Sequence, residues 1–276
     1  MVLVRLALGL ALAYLALLVL VWRFQERIAF PAPRGAVPHP NDVGLPHGER
    51  VEVIAASGTR LVGWFLPAGE TGSRPGSFPA LLWFYGNGEN IASIWPVLRD
   101  FQPPGAALLV LDYPGYGASD GRATEAGVYE TAEAAYGHLR ARAGVDTARI
   151  FVYGRSLGTA VASYVAARHP VAGLILESPF TNAAEMSRQH YRLFPRAVLR
   201  LGLDNVARVA LVRCPVLIFH GTSDRLVPIE MGRLVAAAAA GPVELVPIQG
   251  AGHNETYDLG GRAYRDKLWK FVLGAP

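Results

Sequence analysis

The sequence predicts an α/β fold in which a mostly parallel sheet of eight strands is covered by helices on both faces. Three observations predict it. Six continuous apolar runs of strand length alternate with longer helical stretches, the pattern of a parallel sheet buried on both sides. Two further strand-like segments joined by a turn precede them, the pattern of a hairpin. The 276 residues are 51% hydrophobic with one cysteine, which suits one large packed domain and excludes a disordered chain, a disulfide framework or a multi-cysteine metal site.

Residues 2 to 22 carry a single charge, Arg5, and at about 1.5 Å per residue would form a helix of about 31 Å, the thickness of a bilayer core. No small-x-small cleavage site follows, so residues 1–30 are expected to be an uncleaved anchor, with Trp22 at the interface. Its orientation stays open. Arg23, Arg27 and Arg34 favour a cytoplasmic globular domain by the positive-inside rule, whereas a snorkelling Arg5 favours the opposite arrangement. Residues 31–48 hold five prolines and no periodic apolar pattern, which predicts an extended tether leading to a domain over 49–276.

Residues 50 to 54 and 61 to 66 read as the hairpin, turning at Ser57-Gly58-Thr59. The parallel strands are expected over 80 to 85, 107 to 112, 150 to 153, 174 to 177, 216 to 219 and 243 to 247. Helices are expected over 91 to 101, 125 to 143, 157 to 168, 229 to 240 and 257 to 273. Residues 178–213 form the sizeable insertion between strands and would make a small cap. There Arg188, Arg192, Arg196 and Arg200 recur every four residues, which on a continuous helix makes one face suited to anionic headgroups; Pro195 argues for an interruption.

The net charge of +4 comes from 26 basic residues, all arginine except Lys267 and Lys270, against 22 acidic ones. No zinc-finger spacing, basic zipper or aromatic-basic RNA motif accompanies them, so no nucleic-acid partner is expected. Gly115-Tyr116-Gly117-Ala118-Ser119-Asp120-Gly121 fails as a dinucleotide fingerprint because its third glycine is one place late and no helix opens there. With no HExxH, Walker or calcium loop, no cofactor and no metal are expected.

In such a sheet, ligands bind beyond the carboxyl ends of the strands. Gly154-Arg155-Ser156-Leu157-Gly158 leaves a strand and opens an Ala-rich helical run, so its glycines allow a sharp turn that exposes the Ser156 hydroxyl above a helix N-terminus. A serine needs a base. Among the seven histidines, His253 lies in a glycine-lined loop after the last strand, between Gly252 and Asn254. Asp224, after the 216 to 219 strand, leads as the carboxylate that orients His253, and Glu177 is its rival. The order Ser156, Asp224, His253 is the one known for hydrolases built on such sheets. Backbone N–H groups of Leu157 and of Asn87, in Tyr85-Gly86-Asn87-Gly88, are the expected oxyanion donors.

With these loops the chain resembles the membrane-anchored α/β-hydrolase-domain family that includes the wavy-growth proteins and, more distantly, protein depalmitoylases. The likeness rests also on Asp112-Tyr113-Pro114-Gly115-Tyr116-Gly117, Glu177-Ser178-Pro179-Phe180 and His220-Gly221-Thr222-Ser223-Asp224. Tyr85 stands where that family usually has histidine, and Pro114 where arginine is common, which bears on pocket shape. The resemblance implies the α/β-hydrolase fold and a serine hydrolase acting on esters or thioesters of a small-molecule or acylated substrate. Peptidase action on short peptides and a catalytically silent, membrane-bound interaction module are the alternative readings.

Overall fold

The computed structural model describes residues 1–69 and 77–274. Its sheet comprises β1 (Glu49–Ile54), β2 (Arg60–Leu66), β3 (Phe78–Phe84), β4 (Ala107–Leu111), β5 (Val145–Arg155), β6 (Gly173–Glu177), β7 (Val216–Gly221) and β8 (Val243–Ile248). Their spatial order is β1-β2-β4-β3-β5-β6-β7-β8. β2 pairs antiparallel with β1 and β4, and every later pairing is parallel. β4, β6 and β7 are buried along their whole length, which is why their sequences are unbroken apolar runs rather than alternating ones.

The helices are α1 (Val2–Ala29), α2 (Ile91–Phe101), α3 (Glu125–Arg140), α4 (Leu157–Arg168), α5 (Ala183–His190), α6 (Asn205–Val209), α7 (Ile229–Ala238) and α8 (Thr256–Leu273). α3, α4, α6 and α7 form one connected layer, while α2 and α8 pack together elsewhere on the sheet. Side-chain caps start the helices where the sequence supplies them. Asn90 and Ser93 form a reciprocal capping box on α2, and Thr124 accepts from the Gly127 N–H on α3.

α1 is long and apolar enough to cross a bilayer, and it continues seven residues past Trp22. Its last turns touch the domain: the Gln25 side chain is buried, and Phe30 just beyond enters the core. Residues 31–48 hold no long helix or strand, only a 3-10 turn at Pro40–Val43, and they contact the domain. Val37 and Leu45 are buried, Trp64 Nε1 donates to the Pro38 carbonyl at 3.1 Å, and Asn90 Nδ2 donates to the Pro33 carbonyl at 3.2 Å. The prolines therefore shape a docked strap rather than a loose linker.

The insertion between β6 and β7 departs from a continuous helix. α5 ends at His190, before Pro195, and only a single 3-10 turn at Arg196–Val198 intervenes before α6. The four arginines at spacing four therefore do not share one helical face.

Candidate active site

β5 runs straight into α4 through Ser156, whose backbone is left-handed at φ 50 and ψ −114, a strained conformation for a residue with a Cβ. Close packing on both sides explains the flanking glycines. A Cβ on Gly154 would lie 2.2 Å from the Gly158 carbonyl oxygen, and one on Gly158 would lie 2.1 Å from that of Phe84. The Ser156 N–H donates to the Glu177 carbonyl at 2.9 Å, which fixes the elbow to the end of β6.

The structure brings three of the predicted side chains together. His253 Nε2 lies 3.0 Å from Ser156 Oγ, and His253 Nδ1 lies 2.7 Å from Asp224 Oδ2. Asp224 Oδ1 accepts the N–H groups of Leu226 and Val227 at 2.9 and 2.8 Å. Burial alone would raise the Asp224 carboxyl, but the hydrogen bond and charge of His253 and the Val227 N–H outweigh it and hold the carboxyl below its usual range. The acid and histidine loops are tied to each other: Ser223 N–H donates to the Ala251 carbonyl at 2.9 Å, and Gly250 N–H donates to Thr222 Oγ1 at 2.9 Å.

Glu177 is placed elsewhere, facing a buried cluster rather than His253. Register sets Arg155 of β5 opposite Glu177 of β6, and Arg155 Nε donates to Glu177 Oε1 at 3.2 Å. The remaining donors to Glu177 are the hydroxyls of Tyr153, Tyr264 and Thr256. Burial pushes the Tyr153, Tyr257 and Tyr264 hydroxyls well above the ordinary phenol range, so they stay protonated and serve as donors.

Arg155 is the residue whose connections to these loops motif reading missed. Besides Glu177 it binds Glu89, and its Nη2 donates to the His253 carbonyl at 3.0 Å and to Asn254 Oδ1 at 2.9 Å. Glu89 Oε2 in turn accepts the Gly86 N–H at 2.7 Å. One buried guanidinium thus joins the serine elbow, the histidine loop and the loop after β3. Burial works against its charge, but the carboxylates of Glu177 and Glu89 outweigh it and raise it above the usual guanidinium range. The available signal was a charged residue at the end of an apolar strand, which requires a buried partner.

Leu157 opens α4, where the first N–H groups have no helical acceptor. Asn87 is held from both ends: its Oδ1 accepts from Tyr116 Oη at 2.8 Å, and its Nδ2 donates to the Ala29 carbonyl of α1 at 2.6 Å. Tyr85 is buried, and its hydroxyl donates to Asp112 Oδ1 at 3.0 Å. Tyr85 thereby helps to hold Asp112. Burial pushes the Asp112 carboxyl up to about 6, against hydrogen bonds from Ile91 N–H and Tyr85. His220 is also structural, with Nε2 2.7 Å from the Val227 carbonyl and burial lowering its pKa.

A family model described as the alpha/beta hydrolase fold matches residues 79–196. The uncharacterized protein Rv2307c of Mycobacterium tuberculosis is 37% identical over 265 residues, covering 95% of this chain and 92% of that protein. The chain belongs to the α/β-hydrolase family. Human alpha/beta hydrolase domain-containing protein 17B is 36% identical over 164 residues, 58% of this chain and 54% of the relative. Among solved structures, the Pyrococcus furiosus esterase Pf2001 superposes with a TM-score of 0.73 at 18% identity, covering 88% of this chain and 97% of the esterase, a likeness of fold. Family and fold together support hydrolase activity in the broad sense.

Proposed function

We propose that this chain is a membrane-anchored serine hydrolase that cleaves carboxylic ester or thioester bonds of a small-molecule or acylated substrate. The observation that carries the reading is the continuous hydrogen-bonded relay from Asp224 through His253 to a strained, left-handed Ser156. In this reading residues 1–30 anchor the chain, 31–48 strap it to the domain, and 49–276 are catalytic, with 178–213 as the cap.

Ser156 Oγ attacks the acyl carbonyl while His253 Nε2 takes its proton, and Asp224 holds the imidazole in the required tautomer. The tetrahedral oxyanion accepts the N–H groups of Leu157 and Asn87. His253 then protonates the departing alcohol or thiol as the C–O or C–S bond breaks. Water, deprotonated by His253, releases the acid and restores Ser156.

The test is a chain-length series of p-nitrophenyl esters and acyl thioesters with the full chain in detergent. Saturable turnover that disappears in Ser156→Ala supports the reading. Equal turnover in wild type and Ser156→Ala overturns it.

A further inference from the structure

α1 does not simply leave the domain. Tyr14 Oη, in the middle of its apolar run, donates to the Leu193 carbonyl of the β6–β7 insertion at 2.5 Å. Closer to the domain, Gln25 Nε2 donates to the Val198 carbonyl at 3.2 Å, Gln25 Oε1 accepts the Arg200 N–H at 2.7 Å, and Arg200 lies over the Trp22 ring at 4.9 Å. The insertion therefore runs alongside α1 from Gln25 back toward Tyr14.

Tyr14 precedes Trp22 by eight residues, or about 12 Å of helix rise. With α1 spanning a bilayer and Trp22 at its interface, the backbone at Leu193 lies on the hydrocarbon side of that interface. A carbonyl at such depth needs an internal donor, and Tyr14 supplies one from an otherwise apolar stretch. The side chains fit the same placement. Leu193 is 78% exposed and Tyr191 55% exposed, large apolar surface that the protein itself leaves uncovered. In the same segment, Arg188, Arg192 and Arg196 line a concavity of about 540 Å³ together with Phe194 and Leu199. Arg188 pairs with Glu185, whereas Arg192 and Arg196 have no acidic partner among the described residues.

We propose that residues 191–194 form a second membrane-embedded element beside α1, collared by Arg192 and Arg196 at anionic lipid headgroups. Arginines flanking an apolar tip can extend their stems along it and place the guanidinium at the phosphate level. Asn87 binds the last turn of the same helix, so the embedded tip and the reactive loops share one connection to the anchor. The inference rests on α1 as a membrane span and is independent of the chemistry assigned to Ser156.

The experiment uses the full chain in nanodiscs, with Cys214→Ala as background and a nitroxide placed singly by Leu10→Cys, Leu193→Cys or Ile54→Cys. All three positions are exposed, so the labels disturb no core. Collision with oxygen relative to a nickel chelate reports depth. The ratio is expected to be several-fold higher at 193 than at 54 and to approach that at 10. In phosphatidylglycerol discs, Arg192→Glu with Arg196→Glu is expected to shift the 193 label toward the value at 54. A 193 label that reads like 54 while 10 reads as lipid overturns the embedded tip alone. A label at 10 that reads as aqueous removes the anchor and the tip together. A charge-reversed pair that leaves the 193 value unchanged overturns the arginine collar. Ester turnover of the same preparations reads the hydrolase assignment separately.

Discussion

Replacing Arg155 by methionine isolates the contribution of the guanidinium while keeping an unbranched chain of similar length. The change removes donors to Glu177, Glu89, the His253 carbonyl and Asn254 at once. The Glu177 side chain is 0% exposed, so its carboxylate is left in the core with hydroxyl donors but no opposing charge. Removing one partner of a buried ion pair costs about 3–5 kcal/mol. At about 2–4 °C per kcal/mol for a large domain, the melting temperature should fall on the order of 10 °C. Arg155→Met combined with Glu177→Gln removes the orphaned charge, and should recover roughly half the loss because neutral amide and hydroxyl groups still pair. Thermal unfolding followed by circular dichroism reads both. Ester turnover below the transition should also show reduced kcat with little change in KM, since the His253 loop loses its tie to the elbow. A single variant melting within about 2 °C of wild type, or a double variant less stable than the single, refutes this reasoning.

Asp224→Asn should lower kcat by about 10⁴-fold with KM little changed, because the imidazole loses the acceptor that selects its tautomer; a loss below tenfold, measured by steady-state ester hydrolysis, contradicts that role. Gly158→Ala drives a Cβ to 2.1 Å from the Phe84 carbonyl oxygen, and should cost about 1–3 kcal/mol in denaturant unfolding together with activity. Asp112 supplies the pH prediction. Its folded pKa of about 6 lies above the ordinary 3.8, so its contribution is full below 3.8 and is lost as pH rises through 6. The stability of wild type relative to Asp112→Asn should fall by on the order of 2 kcal/mol between about pH 4 and pH 7, and an unchanged difference across that range in urea titrations contradicts the burial argument.

The parallel strands were legible because β3 to β7 have a neighbour on each side and carry apolar runs, with β8 marked by a similar run at the sheet edge, while the β1–β2 hairpin announces itself through Ser57-Gly58-Thr59. β5 was legible only in part. Its first residues, Val145-Asp146-Thr147-Ala148-Arg149, are mixed in polarity and pair with β3 only at Val145, across a register break, so no apolar run marks them. The positions of Ser156, Asp224 and His253 were readable because each follows a strand in a glycine-bearing loop. The Arg155–Glu177 pairing was not, because it depends on the register of β5 against β6, a relation between segments that neither segment encodes alone. The same limit applied to Gln25, a lone amide near the end of an apolar helix whose partners at Val198, Arg200 and Leu201 lie far along the chain. Spacing by four at Arg188, Arg192, Arg196 and Arg200 suggested a helical face and Pro195 its interruption; α5 stops at His190, so Arg188 is on the helix and the other three arginines follow it in irregular chain and a 3-10 turn.

The central claim is that His253 and Asp224 activate Ser156 as a nucleophile. A fluorophosphonate probe tests it most directly, because the phosphorus is attacked by an activated serine hydroxyl and the adduct is stable to mass measurement. The account predicts one adduct on the wild-type chain, mapped to Ser156, absent in Ser156→Ala and much slower to form in Asp224→Asn. A folded wild-type chain that forms no adduct, or an adduct that persists in Ser156→Ala, contradicts it.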